Sequence, residues 1–404
     1  MKLNEMKKCV YFSLCALFLF SCKGNSSEEL EMKKMIDHAM SVAIHQSINM
    51  AEVLLDSPDR LPRTYDKGEL RTAGSGWWTS GFFPGVLWYL YEYSKNDTLL
   101  NYAELYTARV EKEKYTTDNH DVGFMLYCSF GNGLRITGNE AYNEVLHTGA
   151  KSLSTRYRPV PGLIRSWDHK QDIWQYPVII DNMMNLELML WATEYSGDST
   201  FYNISIEHAD KTMRDIYRPD YSCYHVVSYD TITGDPHVKM TAQGYSDDSS
   251  WSRGQAWGLY GYTLMYRLTK EQRYLEQANN IAAFILNHPR LPEDKIPYWD
   301  FDAPNIPDAL RDASAGAIIA SALIELSAYV KNPLKKQYMD VARTQLKTLA
   351  SPAYLAEPGT NGNFVLKHSV GSLPHNGEVD VPLTYADYYF IEAMMRYKKR
   401  NIYQ

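Results

Sequence analysis

Apolar positions along the chain fall into helical stripes separated by short polar turns. From about Glu29 to Leu55, residues Met32, Met35, Ile36, Ala39, Met40, Ala43, Ile44 and Ile48 share one face, which predicts an amphipathic helix. Residues 57–76 hold Pro58, Pro62, Gly68, Gly74 and Gly76, and are expected to break regular structure. Behind Trp77-Trp78-Thr79-Ser80-Gly81 comes a more uniformly apolar helix, Val86–Tyr93. A turn at Lys95-Asn96-Asp97 then leads into an amphipathic helix with Tyr102. The same arrangement recurs in loose copies. Gly138-Asn139-Glu140 precedes Tyr142, Gly197-Asp198-Ser199 precedes Tyr202, Thr269-Lys270-Glu271 precedes Tyr274, and Lys331-Asn332-Pro333 precedes Tyr338. Each turn joins an apolar helix to an amphipathic one, as in a helical hairpin.

Six apolar helices begin near Trp78, Asp121, Asp181, Ser252, Asp312 and Asp387. Six amphipathic ones begin near Glu29, Asp97, Glu140, Ser199, Glu271 and Pro333. An apolar helix needs burial and an amphipathic one needs a surface. Their alternation predicts an all-α fold, an (α/α)6 barrel of six inner and six outer helices occupying residues 29–404 without an internal domain boundary. One connection has strand character: Tyr224–Tyr229, a turn at Thr233-Gly234-Asp235, then Val238–Met240 reads as a hairpin. It would bring His225 and Gln243 to a barrel mouth.

The register of the repeats carries the chemistry. Trp78, Asp121, Asp181 and Arg253 each stand 17 or 18 residues ahead of their turn, at Asn96, Asn139, Asp198 and Lys270. Inner helices of such a barrel run the same way, so their N-terminal ends meet at one mouth. The long connections 57–77, 157–180, 218–251, 289–311 and 351–386 open there as well, and long connections tend to carry function. Asp at a helix start is also a preferred cap, so Asp121 (ahead of Val122–Ile136) and Asp181 (ahead of Met183–Tyr195) have a plain structural alternative.

Composition narrows the reading. With 45% hydrophobic and 22% charged residues the chain is of globular type, and its 32 Tyr and 9 Trp supply rings suited to sugars. A net charge of −7 argues against a nucleic-acid surface. Lys7 and Lys8 precede an apolar run, Val10–Phe20, that is too short to span a bilayer. Residues 1–22 therefore read as an export signal ending in a lipobox-like Leu19-Phe20-Ser21-Cys22, with residues 23–28 as a tether. The expected product is exported and lipid-anchored through Cys22, in the periplasm or cell envelope, with no other membrane contact. Cys128 and Cys223 alone remain beyond the leader, and their spacing suggests neither a disulfide framework nor a zinc site.

Two carboxylates on one rim suit glycoside chemistry, one neutral as acid and one ionised. Neighbouring carboxylates push their pKa values apart. Arg253 offers a fork for a planar carboxylate, or else pairs with a structural Asp such as Asp247 or Asp248. Trp78 and Trp257 are candidates for stacking on a sugar ring. His120-Asp121 lacks further ligands for a metal, and no phosphate loop or nucleophile elbow is present, so no metal and no cofactor are expected.

Six segments together carry a resemblance: Gly76–Phe82, His120–Phe124, Ile180–Asn185, Gln243–Ser249, Trp251–Trp257 and Tyr385–Phe390. They resemble glycoside hydrolase family 88, the unsaturated glucuronyl hydrolases, over roughly residues 30–400. The resemblance implies an (α/α)6 barrel acting on lyase-generated oligosaccharides that end in a 4,5-unsaturated uronic acid. It implies Asp181 as general acid/base, protonating C4 before water adds at C5, with Asp121 assisting. It further implies His120, His225, Gln243, Arg253 and Trp257 as residues that orient the sugar, and Trp78 as a stacking position. Ser369 and Ser372 resemble a Ser-rich segment used at the neighbouring sugar and its sulfate. Pro374 stands where sulfate-handling members tend to carry Lys, with Lys367 and Lys239 as substitutes to consider. The expected substrate is a glycosaminoglycan disaccharide, from chondroitin or hyaluronan ahead of heparin. The alternatives are an unsaturated rhamnogalacturonyl hydrolase acting on pectin fragments and a non-catalytic sugar-binding lipoprotein.

Overall fold

The computed structural model describes the backbone over residues 3–402 and the side chains over residues 27–400. The expected signal, its Cys22 and all of the tether before Ser27 lie outside the described side chains.

Twelve helical units alternate between an inner and an outer layer. The outer helices are α1 (Leu3–Val53), α3 (Asp97–Ala108), α6 (Ala141–Ser154), α8 (Ser199–Asp215), α10 (Gln272–Asn287) and α12 (Leu334–Leu349). The inner ones are α2 (Phe82–Ser94), the pair α4 (Val122–Leu126) and α5 (Asn132–Thr137), α7 (Leu186–Ser196), α9 (Ser252–Thr269), α11 (Ala313–Leu326) and α13 (Thr384–Ile402). This is the (α/α)6 barrel that the pattern predicts. Two inner units are less regular than expected. A π-turn at Tyr127–Gly131 joins α4 to α5, and a 3-10 turn at Ile180–Asn185 leads into α7.

The recurring turns work by a shared device. Four inner helices end on a residue in the left-handed region: Lys95 (φ 57°), Gly138 (φ 69°), Gly197 (φ 74°) and Lys270 (φ 60°). Each gives its N–H to a carbonyl four residues back, so the helix stops there. The next residues start the outer helix: Asn96 and Asp198 cap α3 and α8 through Thr98 and Thr200, and Asn139 accepts from the Ala141 N–H.

Inner helices pack through small residues. In α11 the buried positions include Ala313, Ala315, Gly316, Ala317, Ala320 and Ala322, which allows close approach to its neighbours. Toward the C-terminal ends of α9, α11 and α13 a charged network ties the layer together and reaches Glu187 in the first turn of α7. Arg267 pairs with Glu187 and Glu325, while Arg396 pairs with Glu325 and Glu392. Tyr89, Tyr260 and Ser321 give their hydroxyl protons to Glu392.

Among the described residues, strands occur only in connections at the opposite end. The expected hairpin is present as β6 (Val226–Tyr229) and β7 (Pro236–Met240), and β5 (Pro177–Ile179) adds a third strand. Short pairs form at β3 (Tyr157–Arg158) with β4 (Leu163–Ile164), and at β8 (Ser369–Ser372) with β9 (Gly377–Val381). Residues 57–76 depart from expectation, since they hold a hairpin, β1 (Leu61–Asp66) with β2 (Glu69–Ala73). Its two-residue turn, Lys67-Gly68, takes positive φ at both positions, the geometry that matches strand twist. Among the described residues no helix is long and apolar enough to cross a membrane.

Candidate active site

The inner helices converge at one mouth on a cleft of about 560 Å³. Trp78, His120, Asp121, Asp181, Gln243 and Arg253 line it, so the shared register does place these side chains together.

Neither Asp caps its helix. Asp121 occupies the cap position of α4 without bonding a helical N–H, and Asp181 lies in the 3-10 turn with no capping bond. At α4 the task passes to a neighbour, because Asn185 Oδ1 accepts the Phe124 N–H at 2.9 Å. Gly123 makes that approach feasible. A Cβ there would stand 2.6 Å from the Asn185 Cα. The two Asp-bearing segments are thus pressed together while both carboxyls stay free for the cleft.

Burial sets their charge state. It raises Asp121 to about 7, partly offset by the Arg156 charge. It raises Asp181 to about 7 as well, where Arg253 pulls down and the Asp121 carboxylate pushes further up. With Asp121 ionised, Asp181 is therefore the one that keeps its proton. Asp181 Oδ2 is buried and has no hydrogen-bond partner.

Two neutral imidazoles flank the pair. Burial lowers His120 and His225 to about 3. His120 Nε2 lies 3.4 Å from Asp121 Oδ1. His225 Nδ1 accepts the N–H groups of Ala242 and Gln243 at 3.2 and 3.1 Å, so its proton resides on Nε2, which faces Asp181 Oδ2 at 3.9 Å. His225 sits just behind the cleft, its ring against Trp251 at 4.3 Å.

Several expected roles need correction. The Arg253 fork is partly occupied: Nη1 donates to the Val370 carbonyl (2.5 Å) and to Asp312 (3.2 Å), and Nη2 to the Gly371 carbonyl (2.6 Å). Its structural partner is Asp312, not Asp247 or Asp248, and its Nε–H and one Nη2–H remain unbonded. Arg253 thus moors β8 through three of its N–H groups and keeps two unbonded where it lines the cleft. Trp257 is fully buried, with its ring between Phe124 (5.2 Å) and Tyr389 (5.3 Å), so it presents no face to a sugar. Its indole edge faces Asp181 and helps to hold that pKa down, although no well-formed hydrogen bond joins them. Ser369 is fully buried and Ser372 Oγ is engaged with His375 Nδ1 at 2.8 Å; neither lines the cleft. Lys367 and Lys239 bond the Pro352 and Asp215 carbonyls, outside the cleft. Gln243 reaches β8 too, donating to the Gly371 carbonyl at 3.2 Å.

The residue-by-residue reading missed part of the wall. Trp77, Asp118, Asn119, Ser166, Trp167, Asp168 and His169 line the cleft. Trp77 is 39% exposed under the Arg63 guanidinium, and Trp167 stacks on His169 at 5.4 Å. The sequence signal was coarse: residues 157–180 form one of the long connections opening on this mouth, but no period marks which of them face it. Among the described residues no group of three or more His, Cys, Asp or Glu is arranged to hold a metal ion.

A toroid of paired helices with one protonated and one ionised carboxyl in an aromatic, polar cleft is the build of a carbohydrate-active enzyme of barrel type. Comparison with known proteins specifies the class. Residues 57–399 match Glycosyl Hydrolase Family 88, and the chain belongs to that family. It is 49% identical to an unsaturated glucuronyl hydrolase of Formosa agariphila over 326 residues, 80% of each chain. It is 32% identical to an unsaturated chondroitin disaccharide hydrolase of Streptococcus pneumoniae over 93% of this chain and 96% of that one. The crystal structure of an unsaturated glucuronyl hydrolase specific for heparin superposes with a TM-score of 0.89 at 46% identity, covering 91% of this chain and 98% of that chain.

Proposed function

We propose that this glycoside hydrolase removes the 4,5-unsaturated glucuronyl residue from the non-reducing end of glycosaminoglycan fragments made by lyases. The observation that carries the reading is the Asp121–Asp181 pair, free of capping bonds, sunk in the cleft and poised near neutrality. Asp181 delivers its proton to C4, and positive charge grows at C5 and the ring oxygen. Water adds at C5 and gives a proton back to Asp181, which restores the acid. The resulting hemiketal opens and frees the rest of the sugar. Asp121, ionised, stabilises the developing charge and maintains the proton on Asp181. His120 and His225 stand beside the two carboxyls, Gln243 holds His225 through its backbone N–H, and Trp78 supplies a ring at the cleft wall.

The higher identity to the heparin-specific enzyme than to the chondroitin enzymes supports placing heparin fragments first among substrates, ahead of chondroitin and hyaluronan. Export and a lipid anchor at Cys22 complete the proposal. Replacing Cys22 by Ser is expected to shift the protein from the membrane fraction to the soluble one.

The substrate's conjugated double bond absorbs ultraviolet light, and hydration abolishes that absorbance. Asp181→Asn is expected to lower kcat by about 10²–10⁴-fold while sugar binding persists. Loss of absorbance only with pectin fragments would instead favour a rhamnogalacturonyl hydrolase. Binding with no turnover of any unsaturated sugar by the natural protein would leave a sugar receptor.

A further inference from the structure

A second cavity of about 290 Å³ lies behind the wall of the cleft, and Asp168 lines both. Arg156, Arg158 and Arg165 face it, with Tyr176 beneath. Three guanidiniums stand against a single lining carboxylate, a local cationic excess in a chain of net charge −7.

The carboxylate is already divided. Asp168 receives Arg156 in bidentate fashion at 2.8 and 3.1 Å, and Arg165 at 3.2 Å. Arg156 is committed to the frame, since its Nε donates to the Arg165 carbonyl and its Nη1 also reaches the Thr117 carbonyl. The other two have donors to spare. Arg165 lies over the Tyr176 ring at 5.5 Å; its Nη2 also donates to the Gln175 carbonyl at 3.0 Å, and its buried Nε has no acceptor. Arg158 is exposed, and its hydrogen bonds run only from Nη1, to the Thr155 and Tyr157 carbonyls. Like charges gathered around one shared acceptor are undercompensated, and planar forks with free N–H groups match the oxygens of a tetrahedral oxyanion.

We propose that Arg158 and Arg165, backed by Arg156, form an anion subsite for a sulfate ester on the sugar chain beyond the unsaturated residue. The inference rests on the glycosaminoglycan reading above and extends it to substrates longer than a disaccharide. The subsite is separate from the Ser369–Ser372 strand, none of whose residues lines it. It gives the enzyme a sulfate contact without the Lys that Pro374 replaces.

The test uses the full chain and its Arg158→Gln/Arg165→Gln variant, assayed on unsaturated tetrasaccharides that differ only in sulfation and on an unsulfated unsaturated disaccharide. Loss of the charge-assisted bonds is expected to raise KM for the sulfated tetrasaccharide about tenfold or more, with kcat held. Both unsulfated substrates keep both constants. Inorganic sulfate is expected to inhibit turnover of the sulfated tetrasaccharide competitively in the natural protein and not in the variant. Should the double variant fold poorly, exposed Arg158→Gln alone gives the same pattern with a smaller rise. Equal KM values for the two tetrasaccharides in the natural protein, or a loss shared by all three substrates, would overturn the subsite. Absence of turnover on the unsulfated disaccharide by the natural protein would overturn the hydrolase reading instead.

Discussion

Asp181 holds a proton near neutral pH because burial and the charge of Asp121 both oppose its ionisation. Activity that needs this proton is expected to fall as pH rises through about 7, which a pH–rate profile of kcat checks. The same shift bears on stability. The folded chain binds more protons than the unfolded one between the ordinary Asp value and about 7, so this contribution is fully present at low pH and lost as pH climbs through that window. Asp181→Asn, neutral throughout, should therefore melt above the natural protein at pH 8 and close to it at pH 4; a lower Tm at pH 8 would refute this account. At this scale the sequence was informative where position in a repeat mattered. Asp121, Asp181 and Trp78 reach the cleft as their register implied. The task of Arg253 was hidden, because its acceptors are main-chain carbonyls that any residue type supplies. The depth of Trp257 was hidden as well: an apolar stripe does not tell which of its rings faces core and which faces cavity.

At the level of elements, the site depends on how closely α4 meets the 3-10 turn before α7. Gly123→Ala places a methyl group against the Asn185 backbone, and overpacking of this kind costs about 1–3 kcal/mol. Because the displaced segments carry both carboxyls, kcat should drop more than the stability loss alone accounts for, which paired denaturation and kinetic measurements would show. Helix starts and stops were legible, since Gly138 and Gly197 are natural left-handed terminators and Asn96 and Asp198 natural caps. The β1–β2 hairpin was not, because its density of Pro and Gly reads as loop. What decides otherwise is the alternation of Thr64, Leu70 and Thr72 around a Lys67-Gly68 turn and the backing of Thr64 by the Pro382 carbonyl, a contact over 300 residues away in sequence.

On the scale of the molecule, the frame and the chemistry occupy opposite ends of the inner helices. Arg396 links Glu325 and Glu392 in the network far from the strands, and those carboxylates are largely buried. Arg396→Leu leaves both short of a partner and is expected to cost about 3–5 kcal/mol. Urea denaturation would register that loss, while KM should remain as in the natural protein because nothing in the cleft is touched. The barrel itself was readable from alternating apolar and amphipathic helices; the wall built by residues 166–169 was not, because irregular connections follow no period. The mooring of β8 has a consequence for descent. Arg253 grips oxygens that every amino acid carries, so heritable changes at residues 372–375 leave the anchor intact, while Gly371 stays fixed because a Cβ there would stand 2.7 Å from the Glu378 Cβ. A lineage can then exchange the side chains of that turn, position 374 among them, without rebuilding the barrel end they sit on.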